Sequence, residues 1–418
     1  MNSALSALGE RTAPPPISWL MEIALSRPGL ISLAAGFTDN ATLPVVETRA
    51  LLTRLLSARR SAEPALQYGS TAGLPELRQR TAERIRGLDA APSNDPRYSP
   101  DRVLIGHGSQ QLLYLVTEIL CNPGDIVLVE DPTYFVYLSI LQSHGVRCRG
   151  IKLEHDGLDL ANLQRVLTDL EQRGELPRVK LLYLLSYYQN PTGVTTSLAK
   201  KAGALALLRR FERAAGHRLY LLEDAAYREM RFAGDDVPSA LTLPGARERV
   251  IHLGTYSKPF ATGVRVGFGF LPPTLLGPAT RVKGNHDFGT SSLLQHLLAR
   301  ALASSEYSDH LATLPRRYAR KARGLVRAIR RHLPPSIEWQ EPLGGMYIWA
   351  RLPGIRTGLK SALFKRALEA GVLYVPGSLC YGADPNRPIP DDELRLSFGN
   401  ASPADIEEGI RRLGEALR

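Results

Sequence analysis

The chain is poor in cysteine: only Cys121, Cys148 and Cys380 occur among its 418 residues. An odd number of cysteines, far apart in sequence, argues against a disulfide framework, offers no metal-ligand spacing and is typical of a reducing cytosol. No run of about 18 apolar residues is present, so no membrane-spanning helix is predicted. The N-terminal segment 1–16 lacks the basic start and apolar core of a signal peptide, and a cytoplasmic protein is expected.

Acidic residues are fewer than basic ones, and the formal net charge is +11 at pH 7. Such an excess is compatible with nucleic-acid binding, but the Lys and Arg residues are spread along the chain. The pairs Arg316–Arg317 and Arg330–Arg331 lie in helix-like patterns that are typical of solvated faces. We therefore expect no nucleic-acid partner and no membrane partner. The positive charge would instead help to attract an anionic substrate or cofactor.

The hydrophobic pattern predicts an α/β fold. Short apolar strands alternate with helical patterns between about Asp101 and Phe270, as in a largely parallel sheet covered by helices. The predicted strands are Val103–Gly106, Asp125–Val129, Lys180–Leu185, Leu219–Glu223, Val250–Gly254 and Val266–Leu271. After about Leu293 the pattern changes to that of a smaller α+β domain, which agrees with the two domains that 418 residues favour.

The sharpest chemical signal is Lys258, which lies in a Gly/Ser/Thr-rich loop after the predicted strand that ends at Gly254. Burial and the nearby cation Arg265 would lower the lysine pKa and make it a nucleophile for a carbonyl carbon. Thr255 and Ser257 can donate hydrogen bonds to a phosphate, and Arg265 can bind it bidentately. On its own, a surface turn with a solvated lysine explains the segment as well.

A carboxylate and a tyrosine follow another very apolar strand, in the segment Leu222–Tyr227. Ligands of α/β sheets bind at the carboxyl ends of strands. Asp224 could hold a pyridine nitrogen protonated there, and Tyr227 could hydrogen-bond a ring oxygen. The alternative is that Asp224 caps the next helix, which is a common use of aspartate.

Three further strand ends carry polar or aromatic side chains. Asn190, in a Pro-containing turn, offers an amide to a ring oxygen or a carboxylate. Ser109 stands at a predicted helix N-terminus, where backbone N–H groups can bind phosphate. Tyr134 could stack on a planar ring, although a core position is the commoner reason for a lone tyrosine. A planar, phosphorylated pyridine aldehyde, pyridoxal 5′-phosphate (PLP), requires this whole set at successive strand ends.

These motifs resemble those of class I/II aminotransferases of PLP fold type I, over nearly the full length of the chain. The interval from Lys258 to Arg265 is most similar to the branch of 2-aminoadipate, kynurenine and some aromatic aminotransferases. The resemblance implies a mostly parallel seven-stranded sheet sandwiched by helices, with a smaller α+β domain. It also implies an N-terminal arm and helix at 1–45 that joins the small domain, a PLP-binding domain at 46–292 and a small domain at 293–418.

The resemblance assigns a role to each motif residue. The catalytic residues would be Lys258, which forms a Schiff base with PLP and moves the Cα proton, together with Asp224 and Tyr227. The cofactor contacts would be Asp224 at the pyridine nitrogen, Tyr227 and Asn190 at the ring oxygen, Tyr134 on the ring, and Ser109, Gln110, Thr255, Ser257 and Arg265 at the phosphate. Arg395 matches the clamp for the substrate α-carboxylate, and Gly36 and Asn190 match pocket positions. Tyr68 matches a tyrosine that reaches the neighbouring subunit's phosphate, which implies a homodimer.

The chain departs from the family pattern at the N-terminal helix. Where 2-aminoadipate enzymes usually carry an arginine for an acidic side chain, this chain has Trp19–Ile23, which is apolar apart from Glu22. The expected function is therefore ping-pong transfer of an amino group from an aromatic or hydrophobic L-amino acid to a 2-oxo acid, 2-oxoglutarate being the expected acceptor. Ser186 and Thr262 replace prolines common in the family but change no reacting group.

Two other functions fit the same cofactor residues. A PLP-dependent lyase or decarboxylase on this fold would need no different cofactor contacts, because it differs only in which Cα bond is broken. An aminotransferase-like transcription regulator is the other alternative. It would carry a winged helix before the aminotransferase-like region, where this chain has only about 15 residues, and it is not expected.

Overall fold

An eight-stranded, a four-stranded and a two-stranded sheet form the framework of the protein, of which the computed structural model describes residues 4–418. The strands are β1 Ile31–Ser32, β2 Val103–Gly106, β3 Ile126–Asp131, β4 Arg147–Glu154, β5 Gly157–Leu158, β6 Val179–Leu185, β7 Tyr220–Asp224, β8 Val250–Thr255, β9 Gly267–Phe270, β10 Glu338–Trp339, β11 Tyr347–Arg351, β12 Val372–Leu373, β13 Val375–Pro376 and β14 Glu393–Ser397. The helices are α1 Ala7–Arg11, α2 Pro16–Ser26, α3 Val45–Leu56, α4 Arg59–Leu66, α5 Pro75–Leu88, α6 Gly108–Leu120, α7 Phe135–Ser143, α8 Leu160–Gln172, α9 Leu198–Ala215, α10 Ala246–Arg249, α11 Pro273–Asp287, α12 Ser292–Ala303, α13 Ser305–His332, α14 Ala362–Glu369 and α15 Pro403–Ala416. None of the helices in the described part is long and apolar enough to cross a membrane.

The large sheet has the strand order β2-β9-β8-β7-β6-β3-β4-β5. Neighbours from β8 to β4 are parallel, whereas β9 is antiparallel to β2 and β8, and β5 is antiparallel to β4. The sheet is mixed and has eight strands where seven were expected, because Gly157–Leu158 folds back on the edge strand. The strand with which it pairs, Arg147–Glu154, carries four charged residues, three of them exposed, unlike the buried central strands.

Side chains that alternate along the large sheet build two separate cores. Leu222 belongs to one buried cluster and Leu221 to the other, since successive side chains of a strand point to opposite faces. Both faces are covered by helices, which explains why the central strands have near-continuous apolar sequences. Asp224 therefore shares the face of Leu222, and Glu223 shares the face of Leu221.

The small sheet is antiparallel, with the order β10-β11-β14-β13. The N-terminal strand β1 pairs in parallel with β12, Ile31 opposite Val372. Leu33 accepts a hydrogen bond from the backbone N–H of Ser397. The N-terminal segment is thereby joined to the C-terminal part of the chain. The division into segments 1–45, 46–292 and 293–418 stays a prediction.

Candidate active site

A cavity of about 480 Å³ opens at the carboxyl ends of the parallel strands β6, β7 and β8. Every residue predicted for the site, except Tyr68, lines it. The predicted lining residues are Gly36, Ser109, Gln110, Tyr134, Asn190, Asp224, Tyr227, Thr255, Ser257, Lys258, Arg265 and Arg395. A second cavity of about 730 Å³, between α7, the N-terminal arm and the 379–386 segment, contains none of them.

Lys258 follows β8 and points into this cavity. Its Nζ donates a hydrogen bond to the backbone oxygen of Gly36, 2.6 Å away. Burial, together with the positive charges of Arg395 and Arg265, lowers the pKa of Lys258 to about 8. A substantial fraction of the amine is therefore neutral near pH 7 to 8 and is available as a nucleophile or a base.

Asp224 ends β7 as a buried carboxylate. Its oxygens accept hydrogen bonds from the backbone N–H of Ala226 and from the hydroxyl of Tyr183, each at 3.1 Å. Burial raises the pKa of Asp224 to about 6, although these two donors and the nearby His252 act in the opposite direction. The carboxylate is thus charged at neutral pH and suited to hold a cationic ring nitrogen.

Donors for an anion converge where α6 begins. Helix α6 starts at Gly108 and places Ser109 at its N-terminus, where unpaired backbone N–H groups favour negative charge. Arg265 Nη1 lies 3.2 Å from the hydroxyl oxygen of Ser257, and Thr255 accepts a hydrogen bond from the backbone of Ser257. A guanidinium, three hydroxyls and a helix N-terminus form a set suited to bind a phosphate.

Two glycines let these segments approach one another. Gly108 has a φ of +74°, and a Cβ on it would lie 3.0 Å from Arg265 Nη2. A Cβ on Gly267 would lie 2.5 Å from the backbone of Gly108 and Ser109. A larger residue at 108 would therefore push Arg265 away from the helix N-terminus, and one at 267 would displace the helix N-terminus itself.

Arg395 and Asn190 form the polar wall on the other side of the cavity. Arg395, on β14, is 2 % exposed, and its Nη1 donates to Asn190 Oδ1 at 2.7 Å. Its Nη2 donates to the backbone oxygen of Ala34 at 2.5 Å, and its Nε has no hydrogen-bond partner among residues 4–418. A buried guanidinium with an unpaired N–H group is suited to bind a carboxylate.

Sequence reasoning missed several apolar and aromatic residues of the lining. Phe37, Phe135 and Tyr347 line the cavity, as do Ile17 and Met21 of α2. Met21 lies in the apolar segment Trp19–Ile23 and Ile17 lies just before it. The sequence indicated that this segment is apolar, but not that it lines the cavity. Phe37, Phe135 and Tyr347 carry no motif and are individually indistinguishable from core residues.

Tyr68 lies outside the cavity. Its side chain is 83 % exposed, and its ring packs edge-on against Phe288 with the ring centroids 5.4 Å apart. Leu66, at 69 %, is also exposed. Phe288 is 56 % exposed as well, so these three side chains present apolar surface to the solvent.

Comparisons with known proteins show which family this chain is similar to. The sequence profile described as "Aminotransferase class I and II" matches residues 28–413. The 2-aminoadipate transaminase of Thermus thermophilus is 35 % identical over 94 % of this chain and 91 % of its own length. The aromatic-amino-acid aminotransferase 1 of Thermococcus litoralis is 31 % identical over 93 % of this chain and 88 % of its own length. The kynurenine aminotransferase of Pyrococcus horikoshii, solved in complex with PMP, KYN as substrates and KYA as products, superimposes with a TM-score of 0.89 at 28 % identity, covering 99 % of this chain and 96 % of that chain.

Proposed function

The chain belongs to the class I and II aminotransferases, and on that premise we propose that it moves the amino group of an aromatic or other hydrophobic L-amino acid to a 2-oxo acid. It is a PLP-dependent enzyme of fold type I that acts on small-molecule amino acids and oxo acids. The donor amino acid, the acceptor and the roles of individual residues are our proposals. We expect 2-oxoglutarate to be the acceptor.

One observation carries the proposal: an amine of lowered pKa, a buried carboxylate and a phosphate-binding cluster line a single cavity. PLP has an aldehyde, a pyridine nitrogen and a phosphate, and each matches one of these groups. We propose that Lys258 binds the aldehyde, that Asp224 pairs with the pyridine nitrogen, and that Ser109, Gln110, Thr255, Ser257 and Arg265 bind the phosphate. The close approach of Arg265 to Gly108 supports this assignment, since a side chain at position 108 would displace Arg265.

The remaining residues of the cavity would bind and orient the substrate. Arg395 binds the α-carboxylate through its free N–H groups, and Asn190 orients the guanidinium. Tyr134 would hold the cofactor ring, and Tyr227 would hydrogen-bond its ring oxygen. PLP, when bound, supplies the electron sink that makes the Cα proton acidic. Lys258 takes that proton as a neutral amine and returns it as an ammonium acid.

The apolar lining supports a hydrophobic donor. The charged residues among the lining are Asp224, Lys258, Arg265 and Arg395, and all four have roles with the cofactor or the α-carboxylate. Ile17 and Met21 of α2 add apolar surface. The lining thus offers no further cation for an acidic side chain within the described residues, and burial of an unpaired carboxylate is costly.

A half-reaction screen tests the donor. The PLP-loaded protein is mixed with Phe, Tyr, Trp, Leu, Glu and 2-aminoadipate, and the loss of the visible cofactor band is followed by stopped-flow absorbance. We expect Phe, Tyr and Leu to react at least tenfold faster than 2-aminoadipate. Met21→Arg should reduce this preference by supplying a cation. Faster reaction of 2-aminoadipate in the unmodified protein would contradict the proposal, and Lys258→Ala serves as the inactive control.

The same mixtures separate transamination from lyase chemistry. A transaminase releases a 2-oxo acid in one turnover and continues only when an acceptor such as 2-oxoglutarate is added. Continued release of ammonia or carbon dioxide without any acceptor would favour a lyase or a decarboxylase instead. The acceptor is identified by repeating the reaction with 2-oxoglutarate, pyruvate and phenylpyruvate.

We also propose that the protein is a homodimer in which Tyr68 contacts the phosphate bound in the neighbouring subunit. The exposed, apolar surface at Leu66, Tyr68 and Phe288 supports this, because a partner would bury it. Mixing two inactive variants, Lys258→Ala and Tyr68→Ala, provides the test. Random subunit exchange makes about half of the dimers mixed, and each mixed dimer has one site with both residues intact, so up to about a quarter of the wild-type activity should return. No recovery, or a monomer in light scattering, would contradict the proposal.

We propose a cytoplasmic location for the protein. Cys121, Cys148 and Cys380 are all free and buried, which supports a reducing compartment. Fractionation of cells that express a tagged chain, with markers for each compartment, tests this.

A further inference from the structure

We propose that Tyr347 is a positioning residue of the active site, acting on Tyr227 through its hydroxyl and on Arg395 through its ring. No sequence motif includes Tyr347, which lies on β11 of the small sheet. The inference rests on the proposed function, because Tyr227 and Arg395 receive their roles there.

The hydroxyls of Tyr347 and Tyr227 form a buried pair. Their oxygens are 3.0 Å apart, and the rings meet edge-on with centroids 5.8 Å apart. Tyr347 is 2 % and Tyr227 5 % exposed. Within residues 4–418, each hydroxyl has the other as its only hydrogen-bond partner. The pair joins the small sheet to the segment that follows β7 of the large sheet.

Either hydroxyl of this pair can be the donor, and the choice decides which proton faces the cavity. Each tyrosine hydroxyl carries a single proton and rotates to suit its neighbours. When Tyr347 donates to the oxygen of Tyr227, the proton of Tyr227 is left free for an acceptor in the cavity, and the two hydrogen bonds strengthen each other. Under the proposed function, the acceptor for this proton is the ring oxygen of the cofactor. Without the Tyr347 hydroxyl, Tyr227 loses its donor and its orientation.

The groups around the pair keep Tyr227 protonated. Burial and the neighbouring hydroxyls of Tyr347 and Tyr134 raise the pKa of Tyr227 well above its usual value, whereas Arg395 acts in the opposite direction. Lys258 Nζ lies 5.8 Å from the centre of the Tyr227 ring. Tyr227 therefore keeps its proton throughout the neutral range and can donate it in a hydrogen bond.

The ring of Tyr347 has a separate contact with Arg395. The guanidinium carbon of Arg395 lies 4.2 Å from the ring centre of Tyr347 and 5.5 Å from that of Phe135. In the β11–β14 ladder Tyr347 pairs with Ser397, so Arg395, two residues away, is its diagonal neighbour on the same face. A cation held over a desolvated aromatic face is stabilised there. The ring thus fixes the guanidinium that binds the α-carboxylate.

Two substitutions separate the hydroxyl from the ring. Tyr347→Phe removes only the hydroxyl. The pH midpoint at which the visible absorbance of the bound cofactor changes should then rise by about half a pH unit. The reason is that a weaker hydrogen bond at the ring oxygen makes the Lys258 nitrogen bound to the cofactor more basic. KM for the amino acid should stay near the wild-type value. Tyr347→Leu also removes the ring, and KM should rise by about fivefold.

Two controls make the readout specific. Tyr374→Phe removes another buried hydroxyl near the small sheet, one that donates to Thr357 at 2.8 Å, and should leave the pH midpoint unchanged. In a Tyr227→Phe background, Tyr347→Phe should produce no further shift if the hydroxyl acts through Tyr227. An additional shift in that background would overturn the positioning role.

The failure of this inference and that of the proposed function have different signatures. A wild-type protein that develops no visible band with PLP overturns the proposed function and this inference with it. A normal wild-type band together with an unchanged midpoint in Tyr347→Phe overturns this inference alone. The spectroscopic titration needs no turnover, so a slow enzyme does not obscure the result.

Discussion

Replacement of Lys201 by methionine should destabilise the protein without disturbing its active site. Lys201, on α9, and Glu223, on β7, are a fully buried ion pair with Nζ 2.9 Å from Oε1. Glu223 also accepts hydrogen bonds from His252 Nδ1 at 2.8 Å and from the backbone of Ala240 at 2.9 Å. This network lies on the face of the large sheet opposite to Asp224, because Glu223 and Asp224 are consecutive strand residues.

The magnitude follows from the loss of one partner. Methionine keeps most of the aliphatic volume of lysine, so the main cost is a buried carboxylate without its cation, about 3–5 kcal/mol. Lys201 also donates to the backbone oxygen of Pro238 at 3.0 Å, and loss of that bond costs about 1 kcal/mol. His252 still holds Glu223 in the variant and reduces the penalty. We therefore expect Lys201→Met to lower the free energy of unfolding by about 3 kcal/mol at pH 7.

The pH dependence gives the prediction a second readout. Burial raises the pKa of Glu223, but the charge of Lys201 and the hydrogen bond from His252 outweigh it, so the folded-state pKa lies well below the ordinary 4.5. A depressed carboxyl pKa contributes stability that is complete above the unfolded-state value and is lost as the pH falls through the folded-state value. The difference in free energy of unfolding between wild type and Lys201→Met should therefore have its full value at pH 7 and decrease below pH 4.5.

Urea unfolding followed by circular dichroism measures the difference, with Lys200→Met as the matched control. Lys200 is next to Lys201 on α9 but pairs with Glu154 at the surface, where such pairs contribute about 0–1 kcal/mol. Both variants should keep the wild-type absorbance spectrum with PLP. A loss in Lys201→Met no larger than that in Lys200→Met would refute the reasoning, and so would a changed cofactor spectrum.

Three further outcomes are expected. Gly108→Ala should raise the Kd for PLP at least tenfold in a fluorescence titration, because the residue has a φ of +74° and its Cβ would lie 3.0 Å from Arg265; an unchanged Kd would count against the phosphate site. PLP affinity should fall as the pH drops through about 6, where Asp224 takes up a proton, and the stopped-flow rate of PLP capture should increase as the pH rises through about 8, where Lys258 loses its proton; a pH-independent rate would contradict this. Gly324→Ala, within α13 and with nothing within 4 Å of the added Cβ, should raise the Tm through a gain of about 0.5–1 kcal/mol, and a lower Tm would contradict it.

The meeting of the motif residues at one cavity could be predicted from the sequence. Lys258 and Asn190 follow apolar strands and Asp224 ends one, and parallel strands bring their carboxyl ends to one edge of the sheet. The observed order, with β6, β7 and β8 as neighbours, brings these three residues together. The apolar strands and the residues at their ends therefore carried most of the information about the reacting groups.

The partners of those residues were not predictable in the same way. Tyr183 donates to Asp224, yet it lies inside β6, where the sequence gives the same signal as a core tyrosine. The strand β4 was missed because its alternating charges suit the outer part of a sheet. In both cases the missing information concerns tertiary structure. Packing decides which side chains contact each other, and local sequence periodicity does not contain that information.

The active site depends on how the small sheet and the N-terminal segment sit against the large sheet. Lys258 hydrogen-bonds to Gly36, Asn190 to Arg395 and Tyr227 to Tyr347. Each pair joins a residue that follows a strand of the large sheet to one from elsewhere in the chain. These three hydrogen bonds share one packing arrangement, so a relative displacement of the sheets would break them together. The position of the reactive amine, the orientation of the carboxylate clamp and the proton of Tyr227 are therefore coupled, although no sequence motif contains two members of the same pair.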